Sequence, residues 1–150
     1  QREQGALEKL REIRGSFSPV GSVYIGIEKG AEKERTDALF DQHPEMRGVL
    51  ASSTPATLAL IEVLKERKLA GTVQSVGFGF NLTPEVAEAI AQNVLQGWVA
   101  QLPGEMGYDA MKAAVALCKG DPVPQTITTD FVVVTSKNLQ DARVQALLMQ

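Results

Sequence analysis

Apolar residues along this chain fall into two kinds of stretch, and the two kinds alternate. One kind repeats every three to four positions, as an amphipathic helix does; the other is a short run rich in β-branched residues, as a buried strand is. Leu7, Leu10 and Ile13 share one helical face, so residues 1–14 are expected to form a helix with Gly15 just past its end. Residues 20–27 ("VGSVYIGI") read as a strand, 31–42 as a charged helix stopped by His43-Pro44, and 47–51 ("RGVLA") as a short buried strand. "STPA" opens the next helix, with Thr54 as the expected N-cap and Pro55 in the first turn. Leu60, Ile61 and Leu64 point it at the core, and it runs out near Arg67. Residues 73–78 form the next strand, and "LTPEVAEAI" repeats the helix start with Thr83 as cap and Pro84 behind it. A strand at 98–102 gives way at Pro103 to a helix ending at Lys119-Gly120, and "DPVPQ" leads to a strand at 127–135 and a helix at 139–148. Such alternation predicts an α/β fold: a mostly parallel open sheet flanked by helices.

In a sheet of this type ligands gather beyond the carboxyl ends of the strands, where helix N-termini present free N–H groups. That edge should bring together residues 28–30, 52–54, 79–83 and Gln101. Ser52, Ser53, Thr54, Asn81 and Gln101 offer uncharged donors and acceptors, while Phe78 and Phe80 offer flat apolar faces. The set suits a neutral, hydroxyl-rich small molecule with a C–H face. Each residue also has a plainer role: Ser53 and Thr54 as caps, Asn81 as a turn residue, Phe78 as core.

Composition removes other classes. With 44% hydrophobic and 22% charged residues the chain is that of a globular domain. No apolar run approaches the roughly 20 residues of a membrane span. The net charge is −3 with both signs interspersed, and no basic stripe points to nucleic acid. Catalytic and metal signatures are missing. The lone histidine, His43, sits before a strand rather than after one, and Cys118 lies on a helix with no histidine near it, which reads as a small buried hydrophobe. No phosphate loop, GxSxG, HExxH or paired-cysteine spacing occurs. No metal and no cofactor is expected. The helix at 104–119 is unusual: Met106, Tyr108, Met111, Val115 and Leu117 leave few polar positions, so it should pack on more than one surface or on something outside this stretch of chain.

"DQHPEMRGVLASSTPATLALIEVLKERKL", "VQSVGFGF", "WVAQLPGEMGYDAMKAAVALCKGD" and "TDFVVVTSKNL", in that order and spacing, resemble the type I periplasmic sugar-binding proteins. That group includes the ribose-binding proteins and shares its fold with the effector domains of LacI-type repressors. The resemblance implies two α/β lobes closing on a ligand about a hinge. It implies that residues 1–102 belong to the carboxy-terminal lobe, and that 103–126 are a crossover helix and connector packing on the amino-terminal lobe. Residues 127–150 would then be the return strand and terminal helix. The chain, opening without Met inside a helix-like stretch, reads as a piece of a longer protein.

Carried over by position, the resemblance marks Gln4, Glu28, Ser53, Thr54, Phe78, Gly79, Phe80, Asn81 and Gln101 as ligand-binding. Gln4 stands where relatives often have Arg, Ser53-Thr54 where they have Asn-Asp, and Gly79 where they have the Asp of "GFD". These departures argue against ribose as the ligand. The implied function is the solute receptor of an ABC-type sugar importer, binding a sugar or polyol in the cleft without catalysis. Its partners are that ligand and the membrane permease, and its location is the periplasm. The alternative is the effector domain of a cytoplasmic LacI-type regulator; "TDFVVVTSKNL" favours the importer form.

Overall fold

A computed structural model describes residues 2–13, 17–26 and 30–149. Its elements, in chain order, are α1 (Arg2–Glu12), α2 (Ala31–Gln42), β1 (Gly48–Ala51), α3 (Thr54–Glu66), β2 (Gln74–Gly79), α4 (Pro84–Ala91), β3 (Gly97–Gln101), α5 (Pro103–Lys119), β4 (Phe131–Val134) and α6 (Ala142–Gln145). A short 3-10 helix, Ala146–Met149, follows α6. The four strands lie in the order β1-β2-β3-β4. The first three are parallel, and β4 runs antiparallel to β3.

Sheet and helices meet in one core. Helix α3 buries Thr57, Ala59, Leu60, Ile61, Val63 and Leu64, and α4 buries Val86, Ala89 and Ile90 at helical spacing. The apolar ones among them join one core cluster with Trp98 and Ala100 of β3 and Val132 and Val134 of β4. Trp98, fully buried, pairs with Gly77 and lies across β2, and side chains at Gly77 or Gly79 would collide with its ring. The loop before β3 is pinned by Ser75, which donates through Oγ to the Val94 carbonyl (2.9 Å) and through N–H to Gln96 Oε1 (2.6 Å).

Helix α2 joins this core from outside by packing on α3. Arg67 Nε donates to Asp37 Oδ1 (2.6 Å), and its Nη2 to Asp41 Oδ1 (2.8 Å) and the Asp37 carbonyl (3.0 Å). The same guanidinium lies 5.8 Å from the centre of the Phe40 ring. It holds the Asp37 carboxyl below its ordinary range, chiefly through the hydrogen bond.

Several expectations need correction. The strand expected at 20–27 is not formed in its described part, 20–26, which is largely exposed. Gly26 has φ +75°, which breaks an extended run, and Arg35 Nη1 occupies the space beside it, donating to the Ile25 carbonyl (2.6 Å). A side chain thus takes a carbonyl that a strand partner would have used. The last strand shrinks to Phe131–Val134, and the last helix to one turn plus the 3-10 segment. Ser53, not Thr54, caps α3: its Oγ accepts from the Ala56 N–H (3.3 Å) while Thr54 begins the helix. Thr83 caps α4 as expected. Cys118 is exposed, because no residue of α5 is buried. Gly15 lies outside the described residues.

Candidate functional site

The register of the parallel strands aligns their ends. Ala51 pairs with Gly77 and Gly79 with Ala100, so Ser52, Phe78–Phe80 and Gln101 stand side by side along one edge. Helix α3 starts from the β1 tip through Ser53. Helix α4 starts from the β2 tip, where Thr83 Oγ1 accepts from Val86 N–H (3.3 Å). Two helix N-termini therefore open at the edge. Beside the second, Glu85 accepts from its own backbone N–H and the Thr83 hydroxyl, and both hold its carboxyl below the ordinary range.

Alternation along the strands decides which side chains are offered. Gly77 and Gly79 face the helical layer, so Phe78 faces the other side, level with Val99. Phe78 is half-buried and Phe80, just past the strand, is 54% exposed. Thr57 Oγ1 accepts from the Phe78 N–H at 3.4 Å and steadies the tip. Asn81 and Gln101 are half-buried. Gly79 is buried and closely surrounded: a Cβ there would run into Thr54 Oγ1 and into Cζ2 and Cη2 of Trp98. The space that the carboxylate implied by the resemblance would need is already filled by tryptophan. The buried Trp98 indole N–H has no hydrogen-bond partner among the described residues.

Of the sequence-marked residues, Ser53, Thr54, Phe78, Gly79, Phe80, Asn81 and Gln101 share this edge. Gln4 does not join them; its Nε2 donates to Glu8 Oε1 (3.0 Å) along α1. Glu28 lies outside the described residues. One residue was missed. Arg2, two positions before Gln4, donates from Nη1 to the Ser52 carbonyl (2.5 Å) and lays its guanidinium 5.2 Å from the Phe78 ring centre. No signal within "REQG" separated it from its neighbour, since both residues are polar and both lie on the same exposed helix.

Among the described residues, no group of three acidic, histidine or cysteine side chains could hold a metal ion. No helix there is long and apolar enough to cross a membrane. A groove between residues 21–23 and Arg35, Leu39 and His43 lies at the opposite end of β1 and adds nothing to the edge.

The family model for the periplasmic binding protein domain matches residues 1–122. The chain belongs to this family. It is 27% identical over 96 residues to the ribose import binding protein of Salmonella typhimurium, covering 64% of this chain and 31% of that protein. Among solved structures it resembles a carbohydrate transporter solute-binding protein from Agrobacterium radiobacter in complex with D-arabinose. That match has a TM-score of 0.85 and 26% identity over 98% of this chain and 49% of the other. A solute-binding protein from Agrobacterium vitis with bound α-D-tagatopyranose has the same fold, with a TM-score of 0.86, 22% identity, and 98% and 48% coverage. The chain thus spans about half the length of the solved proteins and about a third of the curated one. In this periplasmic binding protein chain, the sheet and its helices form one lobe of the family's two-lobed fold.

Proposed function

We propose that this chain is the carboxy-terminal lobe of a solute-binding protein serving an ABC-type sugar importer. The edge carrying Ser53, Thr54, Phe78, Phe80, Asn81 and Gln101 is the lobe's half of the sugar cleft, and no reaction takes place there. The observation that carries the reading is the alignment of uncharged polar groups and two phenylalanines at the carboxyl ends of β1, β2 and β3. Relatives crystallised with D-arabinose and D-tagatose support it. They are transport proteins, which favours the importer over the regulator and supports a periplasmic working location with a membrane permease as partner.

The boundaries at 102 and 126 belong to the same proposal. Helix α5 buries none of its 17 residues, and Tyr108, Met111 and Leu117 are between 64% and 70% exposed. Apolar groups presented so openly on a helix are those of an element made for a second surface, which the amino-terminal lobe supplies. The test is a thermal-shift screen of the full-length protein against pentoses, hexoses and polyols, followed by calorimetry. At least one sugar should raise the melting temperature, since a ligand at 100 times its Kd adds about 2.7 kcal/mol to the folded state. Phe78→Ala should weaken that sugar's binding. A screen in which no carbohydrate stabilises the protein would sink the reading, as would release of a product from any of them.

A further inference from the structure

We propose that the ligand is an anionic monosaccharide, held by its charged group on the guanidinium of Arg2. The inference rests on the sugar-binding reading and narrows it. Over β1 and β2 the polar side chains at the edge, Ser53, Thr54 and Asn81, carry no charge, and Gly79 cannot be joined by a carboxylate without displacing the fully buried Trp98. Arg2 places a charged group over these tips, anchored on the Ser52 carbonyl and stacked on Phe78.

Arg2 has no carboxylate partner among the described residues. A guanidinium carries five N–H donors in a planar fork that matches carboxylate and phosphate oxygens. The Ser52 carbonyl engages one of its nitrogens. Stacking on Phe78 restrains the plane, so less side-chain freedom is lost when an anion is taken. The nearby acids are engaged by other donors rather than by the guanidinium. Glu3 accepts from Ser22 and Tyr24, and Glu85 from Thr83 and its own N–H. Asp130 and Glu105 stand at the far end of the edge, next to β4 and after β3, where Asp130 lies 4.0 Å from Arg143. Along the edge, a guanidinium without a carboxylate partner thus stands over β1 and β2, and carboxylates stand beyond β3. A ligand with an acid group at one end and hydroxyls at the other matches that polarity: the acid takes Arg2, and the hydroxyls can donate toward the carboxylates.

The experiment is calorimetry on the full-length protein with matched pairs: D-galactose against D-galacturonate, D-arabinose against D-arabinonate, and D-glucose against its 6-phosphate. We expect at least one charged member to bind about tenfold or more tightly than its neutral partner. That preference should shrink as salt rises. Arg2→Gln should weaken the charged member about tenfold more than the neutral one, and Arg2→Lys should fall between them because it keeps charge without the fork. Which charged member binds separates carboxylate from phosphate. Neutral sugars binding as tightly as charged ones, or Arg2→Gln weakening both alike, would overturn the inference and leave the sugar reading intact. Binding by neither kind would overturn both.

Discussion

Replacing Gly79 with alanine adds one methyl group at the point where the candidate site meets the core. The new Cβ would meet Thr54 Oγ1 on one side and the Cζ2 and Cη2 atoms of Trp98 on the other, all well inside contact distance. Both neighbours are held in place. Thr54 is the first residue of α3, next to its cap, and Trp98 is fully buried in a packed layer. Forcing a methyl into such a place costs about 1–3 kcal/mol. Gly107→Ala is the control, because nothing lies within 4 Å of the same atom there and the position is inside α5. Alanine in an open helix interior should gain about 1 kcal/mol over glycine. The same methyl group should therefore lower the urea midpoint, followed by far-ultraviolet circular dichroism, at one position and raise it at the other. Trp98→Phe removes the obstructing atoms, so the double variant Gly79→Ala/Trp98→Phe should be more stable than the sum of the two single losses implies. Additivity within about 0.5 kcal/mol, or a Gly79→Ala protein as stable as the parent, would refute the account of why no side chain stands at that tip.

Three further outcomes are expected. Ser53→Ala should cost about 1 kcal/mol by removing the α3 cap and Thr54→Ala clearly less; equal losses would reassign the cap. Because Arg67 depresses the Asp37 carboxyl, the stability that pair contributes is complete above the unfolded carboxylate value of about 3.9 and is lost as pH falls through the lower folded value. The urea midpoint should therefore fall less steeply from pH 5 to 3, the ~3.9 region, in Arg67→Gln than in the parent, and parallel slopes would contradict the assignment. Gly120→Ala should cost about 1–2 kcal/mol, because that residue ends α5 at φ +79° in the left-handed region; an unchanged midpoint would show that the turn relaxes.

Helix starts were easiest to read, because a cap is local chemistry. Thr-Pro marked both α3 and α4, and only the choice between Ser53 and Thr54 slipped, by one residue. Strand identity was less legible. "VGSVYIGI" has the composition of a strand, but a strand exists only with a partner along its edge, and Arg35 claims the Ile25 carbonyl instead. The edge set from Ser53 to Gln101 was visible because strand ends and helix starts locate it. Gly79 could be seen to lack a carboxylate, but not why: the reason is a tryptophan 19 residues later on a neighbouring strand. Arg2 escaped notice for a related reason, since its importance lies in Ser52 and Phe78, to which only the fold brings it.

Trp98 is the single tryptophan of the chain, and its placement gives the chain an optical probe. Sealed from water, the indole should emit at the blue end of its range, and its N–H, without a partner among the described residues, leaves that emission sensitive to rearrangement around the ring. Its ring edge touches the space behind Gly79 and Thr54, on the strand that ends in Gln101. Occupancy of the strand tips can thus be followed without a label, by titrating a sugar and watching the emission colour of one residue.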